Sequence, residues 1–273
     1  MSRLQNRMTA IVLAGQRDGE DELARYAGAT CKAFVEIGGE PMLSRVLDTL
    51  SSSSCIGKIL LSGPGEDKLL QKNEIAQRIQ SGEVIWLAPR ESPSTSTCDA
   101  LRSLSRDDRV LLTTADHPLL SVSIVDEFCN RSADLDMDIV VGLAPYSLVH
   151  DAYPQMHKTV LRFKEGGLCG CNLFAFLTAD GREAANFWRR TESERKKPLR
   201  VMRSLGWLTL AKYFLGRLTL EDALGTLSRQ LGLRVGAIVL PYADAAVDVD
   251  SVSDYQIVQS GFQRLPDIMT PDR

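Results

Sequence analysis

An apolar run that ends in a glycine-containing polar loop is the feature that most constrains this chain. Ile11, Val12 and Leu13 have the character of a buried strand, and the chain then breaks at Gly15 and stays polar as far as Lys32. A buried strand entering such a loop is where α/β proteins bind phosphate, because unpaired backbone N–H groups face the anion. The stretch predicts either a phosphate-binding loop or an ordinary connection between a strand and a helix.

Strand and helix signals alternate after this loop. A short extended piece is expected at Ala33–Ile37, and an amphipathic helix follows over Met42–Leu50. Further buried strands are predicted at 58–61, 84–87, 110–114 and 138–143, with a loop at 88–97. Ser123 with Asp126 matches a capping box for the helix after the third of these strands, 110–114. This alternation predicts a three-layer α/β/α fold with a mostly parallel central sheet.

The second half of the chain has a different pattern. Lys158–Phe163 and Cys171–Phe176 predict two strands around a turn, and residues 182–231 are mostly helical, with a helix beginning at Thr219. A strand over Val235–Leu240 and a closing helix around 255–262 complete the pattern. There is no repeat and no clear linker, so we expect one domain over 1–273 with a helical insertion at about 182–231.

Composition narrows the functional classes. The 273 residues carry a formal net charge of −3, which argues against general nucleic-acid binding. Six scattered cysteines show no disulfide or zinc spacing, and we expect reduced thiols in a cytoplasmic protein. The first ten residues have no apolar signal core, and the run 205–220 is too short and too charged for a spanning helix.

Three aspartates are candidate metal ligands. Asp116 follows a predicted buried strand directly, and a carboxylate there is placed to coordinate a hard cation or to cap a helix. Asp248 and Asp250 alternate along an extended segment, which puts both carboxylates on one face, where a cation would relieve their repulsion. The alternative there is a solvated turn in which Ser251 and Asp254 cap the next helix.

Basic and hydroxyl side chains supply candidate ligands for anions. Arg17, Arg25 and Lys32 lie in the opening loop, and of these Lys32 is the strongest candidate for a phosphate contact. Ser94–Thr97 would hydrogen-bond a base or sugar, or cap the helix that follows. The three histidines are too far apart for a metal cluster, and we interpret His117 as structural or as supporting Asp116.

Six segments in a consistent order resemble one family: Ala10–Gly15, Lys32, Gly39–Leu43, Leu111–Leu120, Gly170–Phe174 and Val247–Tyr255. They are similar to the nucleotidyltransferase superfamily with a GT-A-type fold, especially molybdenum-cofactor guanylyl- and cytidylyltransferases. The family's Gly-Gly-x-Gly-x-Arg loop is here Gly15-Gln16-Arg17-Asp18-Gly19, Cys31 replaces a proline, and the closing Thr-Pro-Glu-Asp is Ser251–Asp254.

The resemblance implies a role for each of these segments. The nucleotide would be bound by Leu13, Ala14, Gly15, Gln16, Arg17, Gly19, Lys32, Ser94, Thr95, Ser96, Thr97, Ala115 and Asp116. Lys32, Arg17 and Asp116 would be catalytic. Gly170 and Asn172 would contact the acceptor, and Asp116 and Asp250, with Asp248 competing, would bind Mg²⁺ or Mn²⁺.

The expected reaction is transfer of a nucleotidyl group from an NTP to a phosphorylated acceptor, with release of pyrophosphate. Its partners are an NTP and a phosphorylated small molecule, and a homodimer is left open. One alternative is a glycosyltransferase that uses a nucleotide sugar. Another is a weakly active nucleotide sensor whose basic stretch between Arg189 and Arg203 contacts a membrane. A solvated helix face is the more favoured interpretation of that stretch.

Overall fold

The computed structural model describes residues 7–15, 21–69, 71–192 and 207–263. The strands are β1 (Met8–Leu13), β2 (Glu36–Ile37), β3 (Glu40–Pro41), β4 (Ile56–Ser62), β5 (Val84–Leu87), β6 (Val110–Thr114), β7 (Ile139–Pro145), β8 (Leu161–Phe163), β9 (Gly166–Phe176) and β10 (Val235–Val239). The helices are α1 (Glu22–Tyr26), α2 (Met42–Ser52), α3 (Glu66–Leu69), α4 (Asn73–Gln80), α5 (Pro93–Arg102), α6 (Val122–Ala133), α7 (Tyr146–Ala152), α8 (Glu183–Glu192), α9 (Trp207–Phe214), α10 (Leu220–Leu231) and α11 (Val252–Gln263). Single 3₁₀ turns lie at Lys32–Phe34, Asp180–Arg182 and Asp244–Ala246.

A mixed sheet runs in the order β10-β7-β9-β6-β1-β4-β5. Strand β9 is antiparallel to both of its neighbours, β6 and β7, and the other pairs along this path are parallel. Strand β8 forms a hairpin with β9. The predicted α/β fold with a mostly parallel sheet is confirmed.

Helices cover both faces of the sheet because the side chains of each strand alternate between the two faces. On β1, Met8, Ala10 and Val12 pack in one core with apolar side chains of α2 and α6. Ile11 packs in the opposite core with side chains of α5 and α8, and the apolar face of α10 packs against that core. The sheet is therefore the middle of three layers, as the sequence pattern predicts.

Two local predictions in the first half are wrong. Ala33 lies in a 3₁₀ turn and the strand is limited to Glu36–Ile37, because the backbone N–H groups of Phe34 and Val35 donate to the carbonyls of Cys31 and Lys32. The cap of α6 is Ser121, whose hydroxyl accepts a hydrogen bond from the backbone N–H of Ile124. Asp126 instead accepts hydrogen bonds from Ser53 and Ser54, which tie α6 to the end of α2.

Two further boundaries differ from the prediction. The predicted loop at 88–97 ends early, because Ser92 caps α5 and Pro93 occupies its first turn, where a missing N–H is tolerated. Strand β8 begins only at Leu161, whereas β9 begins at Gly166 and is longer than predicted.

The predicted helical segment 182–231 contains α8, α9 and α10, and residues 193–206 lie outside the described part of the chain. Thr219 caps α10 as predicted, with its hydroxyl accepting from the N–H of Asp222. All six cysteines are free thiols. In the described ranges, no helix is both long and apolar enough to cross a membrane.

Candidate active site

The ends of β1 and β6 form the floor of the site. Leu13 and Thr114 are paired in register, and the N–H of Ala115 donates to the carbonyl of Leu13 at 3.0 Å. Ala14 and Gly15, which leave β1, and Ala115 and Asp116, which leave β6, therefore lie at the same carboxyl edge of the sheet. This edge is where α/β sheets bind ligands.

The root of the glycine loop rests against the backbone at the end of the neighbouring strand. The N–H of Ala14 donates to the carbonyl of Ser62, the last residue of β4, at 2.9 Å. At Gly63, which has a φ of 85°, a Cβ would lie 2.8 Å from the Gly15 nitrogen. Gly63 is therefore required by close backbone packing at the point where the polar loop begins.

Lys32 lies between two of the predicted metal ligands. Its Nζ donates to Asp116 Oδ2 at 2.6 Å and also to the carboxylate of Asp250. The two aspartates are 84 and 218 residues away from Lys32 in the chain. Because both carboxylates contact one ammonium group, they are close enough to share a single cation.

The backbone and a hydroxyl fix the position of Asp116. Thr114 Oγ1 donates to Asp116 Oδ1 at 2.5 Å, and the carbonyl of Asp116 accepts from the N–H of Val249 at 2.9 Å. The second hydrogen bond ties the segment 247–250 to the end of β6. Asp250 is therefore carried to Asp116 by main-chain pairing, and its carboxylate is 65% exposed at the surface of the site.

The electrostatics of this cluster favour the charged forms. Burial alone would raise the pKa of the Asp116 carboxyl, but the Lys32 ammonium and the Thr114 hydroxyl outweigh it and lower that pKa. Burial alone would lower the pKa of Lys32, but Asp116 and Asp250 outweigh it and raise that pKa. These shifts keep Asp116 as a carboxylate and Lys32 as an ammonium group at neutral pH.

Asp248 belongs to a neighbouring cluster. Its carboxylate contacts Lys158 Nζ and accepts from Asn172 Nδ2 at 3.2 Å. The same Asn172 nitrogen lies 3.5 Å from Nε2 of His117, which is buried. Asp248 is therefore occupied by Lys158 and Asn172 rather than facing Asp116.

The carboxylates fit a magnesium ion. Mg²⁺ is bound in such sites by one or two carboxylates together with substrate phosphates and water. Asp116 and Asp250 present two carboxylates, the oxygen chemistry that such an ion requires, and Lys32 Nζ contacts both of them. Within the described ranges no group of three His, Cys, Asp or Glu side chains could hold a metal ion by itself.

The remaining predicted site residues lie in different parts of the structure, and some lie outside the described residues. Gln16, Arg17 and Gly19 lie outside the described residues, and Leu13, Ala14 and Gly15 form the root of the loop. Gly170 lies on β9, opposite Leu143 of β7. Ser94–Thr97 lie in the first turns of α5, where the side chains of Ser94, Ser96 and Thr97 are buried rather than in an open loop.

Sequence reasoning missed three contacts of this region. Nothing in the spacing of Lys158 singles it out, since its partner Asp248 is 90 residues away. Glu192 contacts the hydroxyls of Ser92, at 2.8 Å, and Ser94 at the start of α5. The third contact is the hydrogen bond from Thr114 to Asp116. It alone of the three had a local signal, a hydroxyl two residues before the candidate ligand at the end of a strand.

Comparison with known proteins points to one family. Residues 10–158, more than half of the 273-residue chain, match the MobA-like NTP transferase domain. The chain is 27% identical over 118 residues to a 2-C-methyl-D-erythritol 4-phosphate cytidylyltransferase of Solibacter usitatus, a match that covers 43% of this chain and 48% of that protein. It is 29% identical over 120 residues to the bifunctional protein GlmU of Neisseria meningitidis, covering 43% of this chain and 24% of that protein.

A solved structure extends the similarity over most of the chain. A structure described as a hypothetical transferase from Thermus thermophilus is 29% identical, with a TM-score of 0.77, and the superposition covers 91% of this chain and 99% of that one. The chain thus spans about half or less of the two curated relatives but nearly all of this structure. The resemblance inferred from six short segments is confirmed.

Proposed function

Since the chain belongs to the MobA-like NTP transferase family, we propose that it is a magnesium-dependent nucleotidyltransferase. In this proposal it moves the nucleotidyl group of an NTP onto the phosphate of a small acceptor and releases pyrophosphate. The names of the relatives support the reaction class, because one is a cytidylyltransferase. The identity of the nucleobase stays open.

One observation carries the proposal: Lys32 Nζ contacts both Asp116 and Asp250 beside the root of the glycine loop. A structural salt bridge would need one carboxylate. Two carboxylates and a lysine that converge at the carboxyl edge of a sheet have the composition needed to bind a polyphosphate and its divalent cation together.

The proposed reaction needs no catalytic base. An oxygen of the acceptor phosphate attacks the α-phosphorus of the NTP and forms a new P–O bond. The bond between the α-phosphorus and the bridging oxygen to the β-phosphorus breaks, and pyrophosphate leaves with the electron pair. A phosphate is already deprotonated at neutral pH, so catalysis consists of positioning and charge neutralisation.

The described residues have distinct tasks in this scheme. Asp116 and Asp250 would hold the Mg²⁺ (or Mn²⁺), which supplies charge neutralisation for the phosphates. Lys32 would leave these carboxylates for the phosphates of the NTP, and Arg17 of the loop is proposed to assist it. The backbone of Leu13, Ala14 and Gly15, and of Ala115 beside Asp116, would line the nucleotide, with Ser94–Thr97 near the base.

The proposal is tested by incubating the protein with Mg²⁺, each of the four NTPs and a panel of sugar and polyol phosphates, while pyrophosphate is measured. We expect pyrophosphate release that requires both the acceptor and Mg²⁺. Asp116→Asn should lower turnover by roughly 10²–10³-fold. Asp136→Asn, which alters an exposed aspartate that precedes β7 and pairs with Arg234, is the matched control and should retain full activity.

Other outcomes would replace the proposal. Sugar transfer from a nucleotide sugar without pyrophosphate would identify a glycosyltransferase. Nucleotide binding without turnover, at any acceptor, would favour the sensor. The membrane alternative rests on Arg189 and Arg190 of α8 and on residues Arg195, Lys196, Lys197, Arg200 and Arg203, and these last five lie outside the described part of the chain.

A further inference from the structure

A second lysine lies beside the first and has no task in the scheme above. Lys158 precedes β8, and its side chain is only 10% exposed. Its Nζ contacts the carboxylate of Asp248 and lies 3.4 Å from the backbone carbonyl of the same residue. A buried ion pair of this kind contributes little net stability, because desolvation of the two charges offsets their attraction. Stability alone therefore does not explain the ion pair of Lys158 and Asp248.

The segment that carries Asp248 is built to present charges side by side. Val247 and Val249 are completely buried, and Asp248 and Asp250 alternate with them on the outer side. Two residues along an extended chain span roughly 6.5–7 Å. Because Asp250 contacts Lys32 and Asp248 contacts Lys158, two ammonium groups are held by carboxylates two residues apart on this segment.

A strained residue supports the second pair. Asn172 on β9 has a φ of 49°, a left-handed conformation that asparagine tolerates better than most residues but that still costs energy. In this conformation its amide donates to Asp248 Oδ2, at the irregularity in the pairing of β7 with β9. Asp248 is thereby fixed through both carboxylate oxygens, and Lys158 is oriented in turn.

A buried polar atom lies below this pair. His117 is 1% exposed, and within the described chain its Nδ1 has no hydrogen-bond partner. Its Nε2 faces the amide of Asn172. The chain therefore maintains a polar, only partly satisfied layer beneath Lys158 and Asp248, where a purely structural contact would be apolar.

We propose that Lys158 is a second phosphate-binding residue of this site, which holds the phosphate group of the acceptor, with Asp248 and Asn172 as its positioning residues. This inference rests on the proposed nucleotidyl transfer, in which one anion, the NTP, is bound at Lys32. The acceptor phosphate must then lie beside the α-phosphate, and a second ammonium group two residues along the same segment matches that requirement. The ligand class is a phosphate monoester.

The test separates binding at Lys158 from binding at Lys32 and from turnover. The protein is saturated with Mg²⁺ and a non-hydrolysable NTP analogue, and inorganic phosphate is then titrated calorimetrically. We expect Lys158→Met to weaken phosphate binding roughly ten- to a hundredfold, the usual effect of losing one charged hydrogen bond, and to leave affinity for the NTP analogue within about twofold. Lys158→Arg should restore most of the phosphate affinity, because it keeps the charge.

Two further variants complete the test. Asn172→Ala should weaken phosphate binding less than Lys158→Met, because it only frees Asp248. Lys212→Met is the control: it removes a lysine of α9 whose Nζ lies 2.9 Å from the carboxylate of Asp222. This variant should bind phosphate as the wild type does. Thermal unfolding of each variant separates loss of binding from loss of fold.

Specific outcomes would overturn the inference. Wild-type protein that binds no phosphate in the presence of the analogue would do so, as would a Lys158→Met variant that binds phosphate normally and shows only a lower melting temperature. If Lys158→Met lost affinity for the NTP analogue and for phosphate equally, Lys158 would stabilise the site as a whole and would not bind the acceptor phosphate. The titration requires no turnover, so it can be interpreted whatever the enzyme assay shows. Failure to detect pyrophosphate release would count against the proposed function and not against phosphate binding at Lys158.

Discussion

Replacement of Lys32 by methionine should move metal binding and turnover in opposite directions. In the free protein the Lys32 ammonium contacts both Asp116 and Asp250, so it competes with any divalent cation for the same oxygens. Methionine preserves much of the apolar stem and removes the charge. Both carboxylates then become available to a cation, whereas the phosphates of the NTP lose a charged partner.

The expected change in metal affinity follows from the exposure of Lys32, Asp116 and Asp250. The contact between Lys32 and Asp116 is largely buried, at 22% and 20% side-chain exposure, and a charged hydrogen bond of this kind contributes about 1.5–3 kcal/mol. The contact with Asp250 is at the surface and contributes about 0–1 kcal/mol. Loss of the Asp116 contact alone, about 1.5–3 kcal/mol, should tighten Mn²⁺ binding in the absence of nucleotide by roughly 10–150-fold. Turnover should fall by roughly 10²–10³-fold.

Mn²⁺ serves as the probe because its free concentration can be followed by electron paramagnetic resonance. Wild-type protein, Lys32→Met and the control Lys72→Met are titrated without nucleotide, and the same preparations are assayed for pyrophosphate release. Lys72 pairs with Glu36 at 3.3 Å and does not contact the three aspartates in the structure. Thermal unfolding confirms that each variant is folded.

The reasoning would be refuted if Lys32→Met bound Mn²⁺ no more tightly than the wild type. Equal tightening in Lys72→Met would show that only the net charge of the protein matters. A Lys32→Met protein with near-normal turnover would remove Lys32 from the chemistry, whatever its metal affinity.

Two stability predictions come with matched controls, and a pH prediction follows from one of them. Ser121→Ala should lower the free energy of unfolding by about 1 kcal/mol through loss of the α6 cap, whereas Ser123→Ala should have little effect, as measured by urea denaturation. Asp138→Ala should cost about 3 kcal/mol, because Asp138 is largely buried and accepts from the backbone and guanidinium of Arg234, whereas Asp136→Ala, 92% exposed beside the same Arg234, should cost less than about 1 kcal/mol. Hydrogen bonds from Arg234 lower the pKa of Asp138 to about 2, so its contribution is present above the unfolded-state pKa of about 4 and is lost as the pH falls toward 2. The difference in unfolding free energy between the wild type and Asp138→Ala should therefore shrink between pH 7 and pH 3, and equal differences at both pH values would contradict this assignment.

The sequence could predict the central contact because parallel strands end at one edge. The apolar runs before Gly15 and Asp116 indicated two buried strands of a mostly parallel sheet, in which the carboxyl ends lie at one edge. The structure shows that these two strands are neighbours. Lys32 and Asp250 were candidates from the residues themselves, but only the family resemblance placed them in one site with Asp116. Nothing local in the chain brings two aspartates that are 84 and 218 positions away from Lys32 onto its ammonium group.

Alternation along the closing segment predicted the face of Asp248 and Asp250 correctly but not their partners. The two valines are buried and both carboxylates point outward, as a period of two requires. Each carboxylate then contacts the lysine that the tertiary fold brings nearest, and Lys158 arrives from the segment before β8. Side-chain pairing over such distances is set by topology, which the pattern of one segment does not contain.

Two errors had signals in the sequence that were weighed wrongly. Ser92-Pro93 is a cap followed by a proline in the first helical turn, and it marks the start of α5 more strongly than the hydroxyl-rich composition of Ser94–Thr97 marks a loop. Ser121 was a competing cap for α6, two residues before Ser123. In both places the hydroxyl that comes earlier in the chain caps the helix.

The most direct test of this account is a crystal structure with Mn²⁺ and a non-hydrolysable NTP analogue, with the metal located by its anomalous scattering. We predict a single peak at the phosphates of the analogue that is coordinated by Asp116 and Asp250, with Lys32 Nζ moved from these carboxylates onto a phosphate oxygen. A peak bound by Asp248 without Asp116, or an analogue bound while Lys32 keeps both carboxylate contacts, would contradict it.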